Sequence, residues 1–150
     1  MIRVQREDFD IGFELEALTR GNTGIGGVAS FVGLMRDVAD RTPIHAMTLE
    51  HYPGMTEREL QRIEREAQTR WPLLASLIVH RFGRLEPGDR IVLVATASAH
   101  RAAAFESCEF LMDYLKTRAP FWKEEETPDG PRWVAAAAAD ERAASRWRKD

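Results

Sequence analysis

The 150-residue sequence has a single cysteine, no excess of basic residues and no continuous apolar segment at its N-terminus. One cysteine, Cys108, excludes an internal disulfide framework and a cysteine-rich zinc site, and it suits a reducing compartment. The charged N-terminus indicates neither a signal peptide nor a membrane anchor, so we expect a cytoplasmic protein. The 21 basic and 24 acidic residues give a formal charge of −3, which argues against broad, non-specific binding to nucleic acid.

A chain of 150 residues can bury a core without cross-links, and we expect one domain over residues 1–150. The apolar spacing switches between strand and helix periods in the order β-α-β-β-α-β-β-α-β-β-α, which favours an α+β fold with helices against a mixed sheet. Strands are predicted at Ile2–Gln5, Val28–Leu34, Ile44–Tyr52, Leu77–Phe82, Ile91–Ala97, Phe121–Lys123 and Arg132–Val134. Helices are predicted after Asp10, after a Thr56–Glu59 capping box, from Ala102 and over Ala135–Trp147, with a polar loop at Asp37–Pro43.

The segment from Ile91 to Glu126 carries four cationic or titratable side chains on successive elements. His100 and Arg101 lie at the junction between a buried strand and a helix, where free backbone N–H groups and the helix dipole favour an anion. A capping or solvated His-Arg pair is the alternative interpretation. Lys116 follows near the end of that helix, and Lys123 follows on a short strand that returns toward the same sheet.

Simple structural roles also fit these residues. Lys116 is three residues from Asp113, so the two side chains can pair on the helix surface. Either lysine alone fits a solvated surface position, because lysine is rarely buried. Cys108 shares the apolar stripe of the helix with Phe105, Met112 and Leu115, which predicts a packed thiol rather than a nucleophile.

Two further features precede this segment. Gly33 lies inside a strand pattern, which indicates a bulge or the close approach of another group. Arg36 follows at the predicted end of that strand, beside Asp37, where an exposed loop arginine is the simple interpretation. The glycine-rich loop at 21–27 lacks both the Walker and the dinucleotide-binding fingerprints, so it gives weak support for a phosphate site.

Five blocks of sequence resemble the large, catalytic subunit of molybdopterin synthase. They are SFVGLMRD at 30–37, TLEHYPGM at 48–55, HRFGRLEPGD at 80–89, SAHRAAAFE at 98–106 and LKTRAPFWKEE at 115–125. They occur in the same order as in that family and extend over the chain from Gly27 to Trp133. The resemblance implies an α/β hammerhead fold with a C-terminal hairpin and helix.

The resemblance also implies partners and a substrate. A homodimer of large subunits is expected to bind a small ubiquitin-like sulfur carrier on each subunit, which makes a heterotetramer. The carrier's C-terminal Gly-Gly thiocarboxylate is expected to enter a pocket of the large subunit. Two sulfur transfers then convert cyclic pyranopterin monophosphate to the dithiolene of molybdopterin. No metal or other cofactor is expected, since molybdenum is added after this step.

Site residues are carried over position by position. Lys116 matches the family's catalytic lysine and Lys123 its second active-site lysine, while Arg36, His100 and Arg101 match substrate-binding residues. Leu34, Met35, Glu124 and Glu125 complete the expected substrate-binding set. Glu124 departs from the basic residue found there in many members, which changes the charge expected at the rim of the pocket. A non-catalytic domain that binds an anionic metabolite or a carrier tail is the alternative.

Overall fold

The computed structural model describes residues 1–135 and 138–148. Four helices, ten strands and the connections between them account for these residues. The helices are α1 (Ile11–Thr19), α2 (Met55–Arg70), α3 (Arg101–Arg118) and α4 (Ala138–Ser145). The strands are β1 (Ile2–Gln5), β2 (Gly27–Leu34), β3 (Val38–Ala39), β4 (Thr42–Pro43), β5 (Ala46–His51), β6 (Leu73–Arg81), β7 (Gly83–Leu85), β8 (Arg90–Ser98), β9 (Phe121–Thr127) and β10 (Gly130–Val134).

The first sheet has the strand order β1-β6-β8-β2 and separates two parts of the core. It is mixed, because β1 pairs parallel with β6 whereas the other pairs are antiparallel. One face packs against α2 and α3, where Phe110, Leu111 and Tyr114 are almost completely buried. The opposite face packs against α1 through Leu77, Val79, Leu93 and Ala95 of the sheet. Successive side chains of a strand point to opposite faces, so β6 and β8 contribute apolar residues to both parts of the core.

The second sheet has the order β10-β9-β5-β7 and is antiparallel throughout. A third group of buried residues, including Met35, Met47 and Leu85, packs along it. Thr56 joins this sheet to α2: its buried hydroxyl accepts from the Tyr52 N–H at 2.9 Å and donates to the Pro120 carbonyl at 3.1 Å. The start of α2 and the start of β9 are thereby fixed to each other.

The predicted α+β class and the order of the major elements are confirmed. The second sheet and the two-stranded β3–β4 ribbon are additional to the mixed sheet that the sequence predicts. The predicted polar loop at 37–43 was wrong, since β3 and β4 form a tight hairpin there. Asp40 and Arg41 adopt positive φ angles of 50° and 64° in its two-residue turn. Turns of this kind match the twist of the paired strands.

Three other local predictions need correction. The α2 helix is capped at Gly54, whose N–H donates to Glu57 at 2.6 Å, so the predicted box of Thr56 and Glu59 was wrong. Phe105 was predicted to face the core, but it is 65% exposed, because this part of α3 buries Ala104, Ser107 and Cys108 instead. The predicted terminal helix at 135–147 is confirmed as α4 over Ala138–Ser145, while its positions 136–137 lie outside the described residues.

Cys108 lies in the core beside the sheet, as the apolar stripe predicts. Burial raises the pKa of its thiol to about 11, so it stays protonated and unreactive near neutral pH. None of the helices in the described part of the chain has the length and apolar character that a membrane crossing requires.

Candidate active site

A cavity of about 650 Å³ lies between the two sheets, at the C-terminal end of α3. The sequence contains only three lysines, and two of them, Lys116 and Lys123, line this cavity. Apolar side chains of both sheets and of α3 supply most of the other lining residues. They include Phe31, Val32, Leu34, Met47, Leu49, Ile91, Val92, Leu115, Phe121 and Val134. Two of the three lysines therefore share one pocket that has both apolar and polar surface.

The turn between α3 and β9 brings the two lysines to this cavity. The buried face of α3 fixes Leu115 in the core, and Lys116 follows it at the cavity wall. Pro120 has no N–H to continue a helix, and the chain enters β9 at Phe121. Side chains of a strand alternate between its faces, so Phe121 and Lys123 both face the cavity. The pairing of Lys123 with Leu49 of β5 fixes the position of Lys123 in the register of the second sheet.

The surroundings of Lys116 favour its neutral form. The side chain of Lys116 is exposed at the open cavity, although nearby protein atoms remove part of the water around its ammonium group. Loss of water around this group lowers the pKa of Lys116, and the positive charge of Lys123 lowers it further. Asp140 of α4 also lines the cavity, and its carboxylate opposes this shift by raising the pKa.

The alternative pairing of Lys116 with Asp113 does not occur in the structure. Asp113 instead accepts from Arg146 at 2.8 Å and from the indole N–H of Trp147 at 2.6 Å. These contacts attach the C-terminal segment to α3. Lys116 makes no salt bridge with any of the described residues.

His80 is a cavity residue that sequence reasoning missed. It lies near the end of β6 and is 5% exposed, with its ring stacked on Phe121 at a centroid distance of 3.8 Å. Burial lowers the pKa of His80 to about 4, and the nearby positive charge of Lys116 acts in the same direction. The only available signal was its place at the start of the HRFGRLEPGD block, two residues after the core residue Ile78.

The other expected substrate-binding residues lie in different surroundings. Leu34 lines the cavity, but Arg36 lines a separate surface depression with Asp40 and Arg41, and the buried Met35 forms its base. Glu125 is 5% exposed and accepts from Arg132 at 3.1 Å. Glu124 is not among the residues that line the cavity, and alternation along β9 points it away from Lys123.

His100 and Arg101 are at the predicted junction between β8 and α3, but far from the lysines of the same chain. His100 is the N-cap residue of α3, Arg101 is its first residue, and both side chains are exposed. Fifteen residues separate Arg101 from Lys116, which corresponds to about 22 Å along the helix. One copy of the chain therefore does not bring this pair into the cavity with Lys116.

Gly33 lines the cavity, and its surroundings agree with the bulge or close approach that its position in the strand pattern predicts. The register of β2 shifts between Gly33 and Leu34, and a Cβ atom at Gly33 would lie 2.8 Å from Cγ1 of Val92. Any larger residue would push Val92 or bend the strand. The close approach of β2 to β8 therefore needs glycine at this position.

Comparison with known proteins gives a consistent identification. A family model described as "MoaE protein" matches residues 4–118. The chain belongs to the MoaE family. It is 60% identical over 146 residues to the molybdopterin synthase catalytic subunit of Pseudomonas aeruginosa, with 97% of each chain covered. The fold predicted from the family resemblance and the assignment as an enzyme subunit of molybdenum cofactor biosynthesis are confirmed.

Solved structures of the MoaE family have the same architecture. A molybdopterin biosynthesis MoaE protein from Burkholderia ambifaria superposes with a TM-score of 0.85 at 56% identity, covering 98% of this chain and 97% of that one. Molybdopterin synthase from Staphylococcus aureus superposes with a TM-score of 0.82 at 30% identity, covering 89% and 96%. The similarity extends through both sheets, so the cavity between them lies within the shared fold.

Proposed function

We propose that this chain converts cyclic pyranopterin monophosphate to molybdopterin by two sulfur transfers from a small ubiquitin-like carrier. The carrier's C-terminal Gly-Gly thiocarboxylate supplies each sulfur. The observation that carries this proposal is the cavity of about 650 Å³ that contains Lys116 and Lys123. Its volume falls in the range of small-molecule sites, roughly 300–1,000 Å³. The name "catalytic subunit" borne by the relatives suits an enzyme with a second kind of chain.

The charge of the cavity suits both reactants. The pterin carries a cyclic phosphate and the carrier tail ends in a thiocarboxylate, so both are anionic. Lys123 lines the cavity and can neutralise and orient these groups. The single thiol of the chain is buried in the core, which suits the reducing cytoplasm where we place the reaction.

Lys116 is the proposed proton-transfer residue. The thiocarboxylate sulfur attacks a side-chain carbon of the pterin and displaces an oxygen substituent, and Lys116 transfers the proton that this exchange requires. Water then cleaves the acyl carbon–sulfur bond, which leaves the sulfur on the pterin and an ordinary carboxylate on the carrier. A lysine that is partly desolvated and lies beside another cation has a larger neutral fraction near pH 7 than a surface lysine has. Lys123 is proposed to stabilise the negative charge that develops on the substrate.

The remaining substrate-binding residues are proposed to act across a pair of chains. β2 is an edge strand of the first sheet, with exposed apolar side chains at Val28, Phe31 and Leu34. Its Gly27 end lies beside Arg101, whereas its Leu34 end borders the cavity. Edge strands that pair about a two-fold axis run antiparallel, so one copy's Arg101 would approach the partner's cavity. In the expected homodimer, His100 and Arg101 of one chain would therefore lie near the cavity of the other chain.

The decisive experiment is incubation with thiocarboxylated carrier and cyclic pyranopterin monophosphate, followed by mass spectrometry of the pterin product. The proposal expects a product with two added sulfurs and a carrier that ends in an ordinary carboxylate. Binding of both reactants without conversion would instead support the non-catalytic alternative.

Substitution of Lys116 by alanine tests its role in the same assay. We expect turnover to fall by at least about a hundredfold, as for loss of a general acid or base. Circular dichroism and carrier binding should stay unchanged. The matched control is Arg62→Ala, which removes a cation from the solvent face of α2 where Arg62 pairs with Glu59. Equal activity of the two variants would remove Lys116 from the mechanism.

A further inference from the structure

A second depression, of about 480 Å³, lies between the C-terminal parts of α2 and α3. Its lining residues are Glu66, Thr69, Arg70, Tyr114, Arg118 and Arg148. None of them lines the cavity that contains the two lysines. Three arginines and one glutamate give the lining a formal charge of +2, on a chain whose own formal charge is −3. The local excess of positive charge favours an anionic ligand at this position.

Arg70 supplies a fixed positive charge to this depression. Its side chain is 11% exposed and donates to the carbonyl oxygen of Trp147 and, at 2.8 Å, to the carboxylate of Glu66. Its guanidinium group also lies 4.7 Å from the ring centroid of Phe110. These contacts hold Arg70 in place without any ligand, so its charge is present before a ligand arrives.

Arg118 is oriented by its surroundings but has no hydrogen bond within the described part of the chain. Its guanidinium carbon lies 3.8 Å from the ring centroid of Tyr114, and its side chain is 34% exposed. Glu66 is 3.9 Å away, which is beyond hydrogen-bond distance. A guanidinium group has five N–H donors in a planar fork. Stacking on Tyr114 therefore fixes the plane of the fork, while its donors stay available.

Two more donors border the same space. Tyr114 is 1% exposed, and its hydroxyl oxygen accepts from Arg70 at 3.5 Å, but its own O–H donates to none of the described residues. Arg148 is exposed and makes no salt bridge with the residues that the structure describes. Glu66 is the one acid of the lining, and Arg70 already binds it. Donors therefore exceed acceptors here, and a buried polar group without a partner is costly.

We propose that this depression is a binding site for a phosphate group. Arg118 supplies a bidentate fork for two phosphate oxygens, and the oxygens that remain suit Arg148 and the Tyr114 hydroxyl. The volume also leaves room for the organic part of a small phosphate ester. The site shares no residue with the proposed reaction, so it stands or falls independently of sulfur transfer.

The test is a titration of the nitrogen-15-labelled full chain with inorganic phosphate, followed by two-dimensional nuclear magnetic resonance without carrier or pterin. Sodium chloride at the same ionic strength is the blank. The backbone amides of Thr69 and Arg70 should shift and reach saturation with phosphate but not with chloride. The amide of Lys123 reports separately on the lysine cavity. Shifts confined to the cavity, or an equal response to chloride, would overturn the proposal.

Three variants establish which side chains bind the phosphate. Arg118→Leu should raise the Kd for phosphate about tenfold or more, as for the loss of a charged hydrogen bond. Arg148→Leu should also weaken binding, and its exposed position keeps the test valid if Arg118→Leu fails to fold. Arg20→Leu is the matched control, because Arg20 pairs with Glu16 on α1 and lies outside the depression. Equal weakening in all three variants would show attraction to net charge alone and would overturn the site.

A parallel titration with ribose 5-phosphate distinguishes the two sources of a phosphate group. Tighter binding than that of inorganic phosphate, with shifts at the same amides, would support a site for a phosphate ester. Equal affinity would support a site for the phosphate ion itself. The absence of saturable shifts at Thr69 and Arg70 with either probe at millimolar concentration would refute the proposal.

Discussion

The protonation state of Lys116 determines whether the rate of the proposed reaction rises or falls with pH. Desolvation and Lys123 lower the pKa of Lys116, while Asp140 raises it. If the neutral amine accepts the proton, kcat rises with pH through this lowered pKa. Asp140→Asn removes the opposing charge, so the pKa falls further and the rising limb moves to lower pH. A pH profile of kcat for both proteins measures the shift, and a limb that moves to higher pH would contradict this account.

The buried imidazole of His80 links stability to pH independently of catalysis. Its pKa is about 4 in the folded protein against 6.5 for the free side chain. Between these values the unfolded state binds more protons, so folding weakens as pH falls through this range and the loss is complete below it. The full effect is about 3 kcal/mol. Urea unfolding from pH 7 to pH 4 should show a shallower loss for His80→Phe than for the wild type.

At the scale of single elements, the close packing of β2 on β8 makes Gly33 a sensitive position. A Cβ added there would lie 2.8 Å from Val92, so Gly33→Ala should destabilise the fold by about 1–3 kcal/mol. Val92→Ala removes the contacting methyl groups but leaves a gap. The double variant should be more stable than the sum of the two single effects predicts, which denaturant unfolding measures. Strict additivity would show that the contact is not what requires glycine.

The order of the elements could be predicted from this sequence because each major helix or strand has its own spacing of apolar residues and is bounded by capping or turn residues. Asp10 caps α1 by accepting from the Phe13 N–H at 2.8 Å, as its position before an apolar stripe predicts. The predicted box at Thr56 was wrong because α2 begins one residue earlier, at Met55, and the Thr56 hydroxyl bonds to the Tyr52 N–H and the Pro120 carbonyl instead. Local rules cannot anticipate a bond to a carbonyl 64 residues away.

The site was predictable only in part, for the same reason. The short helix-to-strand turn between Lys116 and Lys123 is local, so it indicated that the two lysines could lie near each other, while their catalytic roles follow from the family resemblance and stay predictions. His80 reaches the cavity from another strand, and an alternating pattern does not show which face of a strand borders a pocket. The separation of Arg101 and Lys116, about 22 Å, follows from the length of the helix between them, but it is not evident when both are read as parts of one cationic segment.

At the scale of the whole molecule, the proposed site residues on α3 lie at its two ends, so the number of chains that form one site must be determined. Arg101 and Lys116 lie at opposite ends of the same helix, and β2 offers an unpaired edge between these two regions. If a partner copy supplies Arg101, each site of a dimer combines Lys116 of one chain with Arg101 of the other. If one chain forms the site alone, Arg101 acts from a distance or not at all.

Mixing two inactive variants separates these arrangements. A dimer of one Lys116→Ala chain and one Arg101→Ala chain contains one site with both defects and one site with none. After random exchange of subunits, half of the dimers are mixed, so about a quarter of wild-type activity should return. Neither variant alone should recover activity under the same exchange conditions. A mixture that stays as inactive as its components, although native mass spectrometry shows that mixed dimers have formed, would place the whole site within one chain.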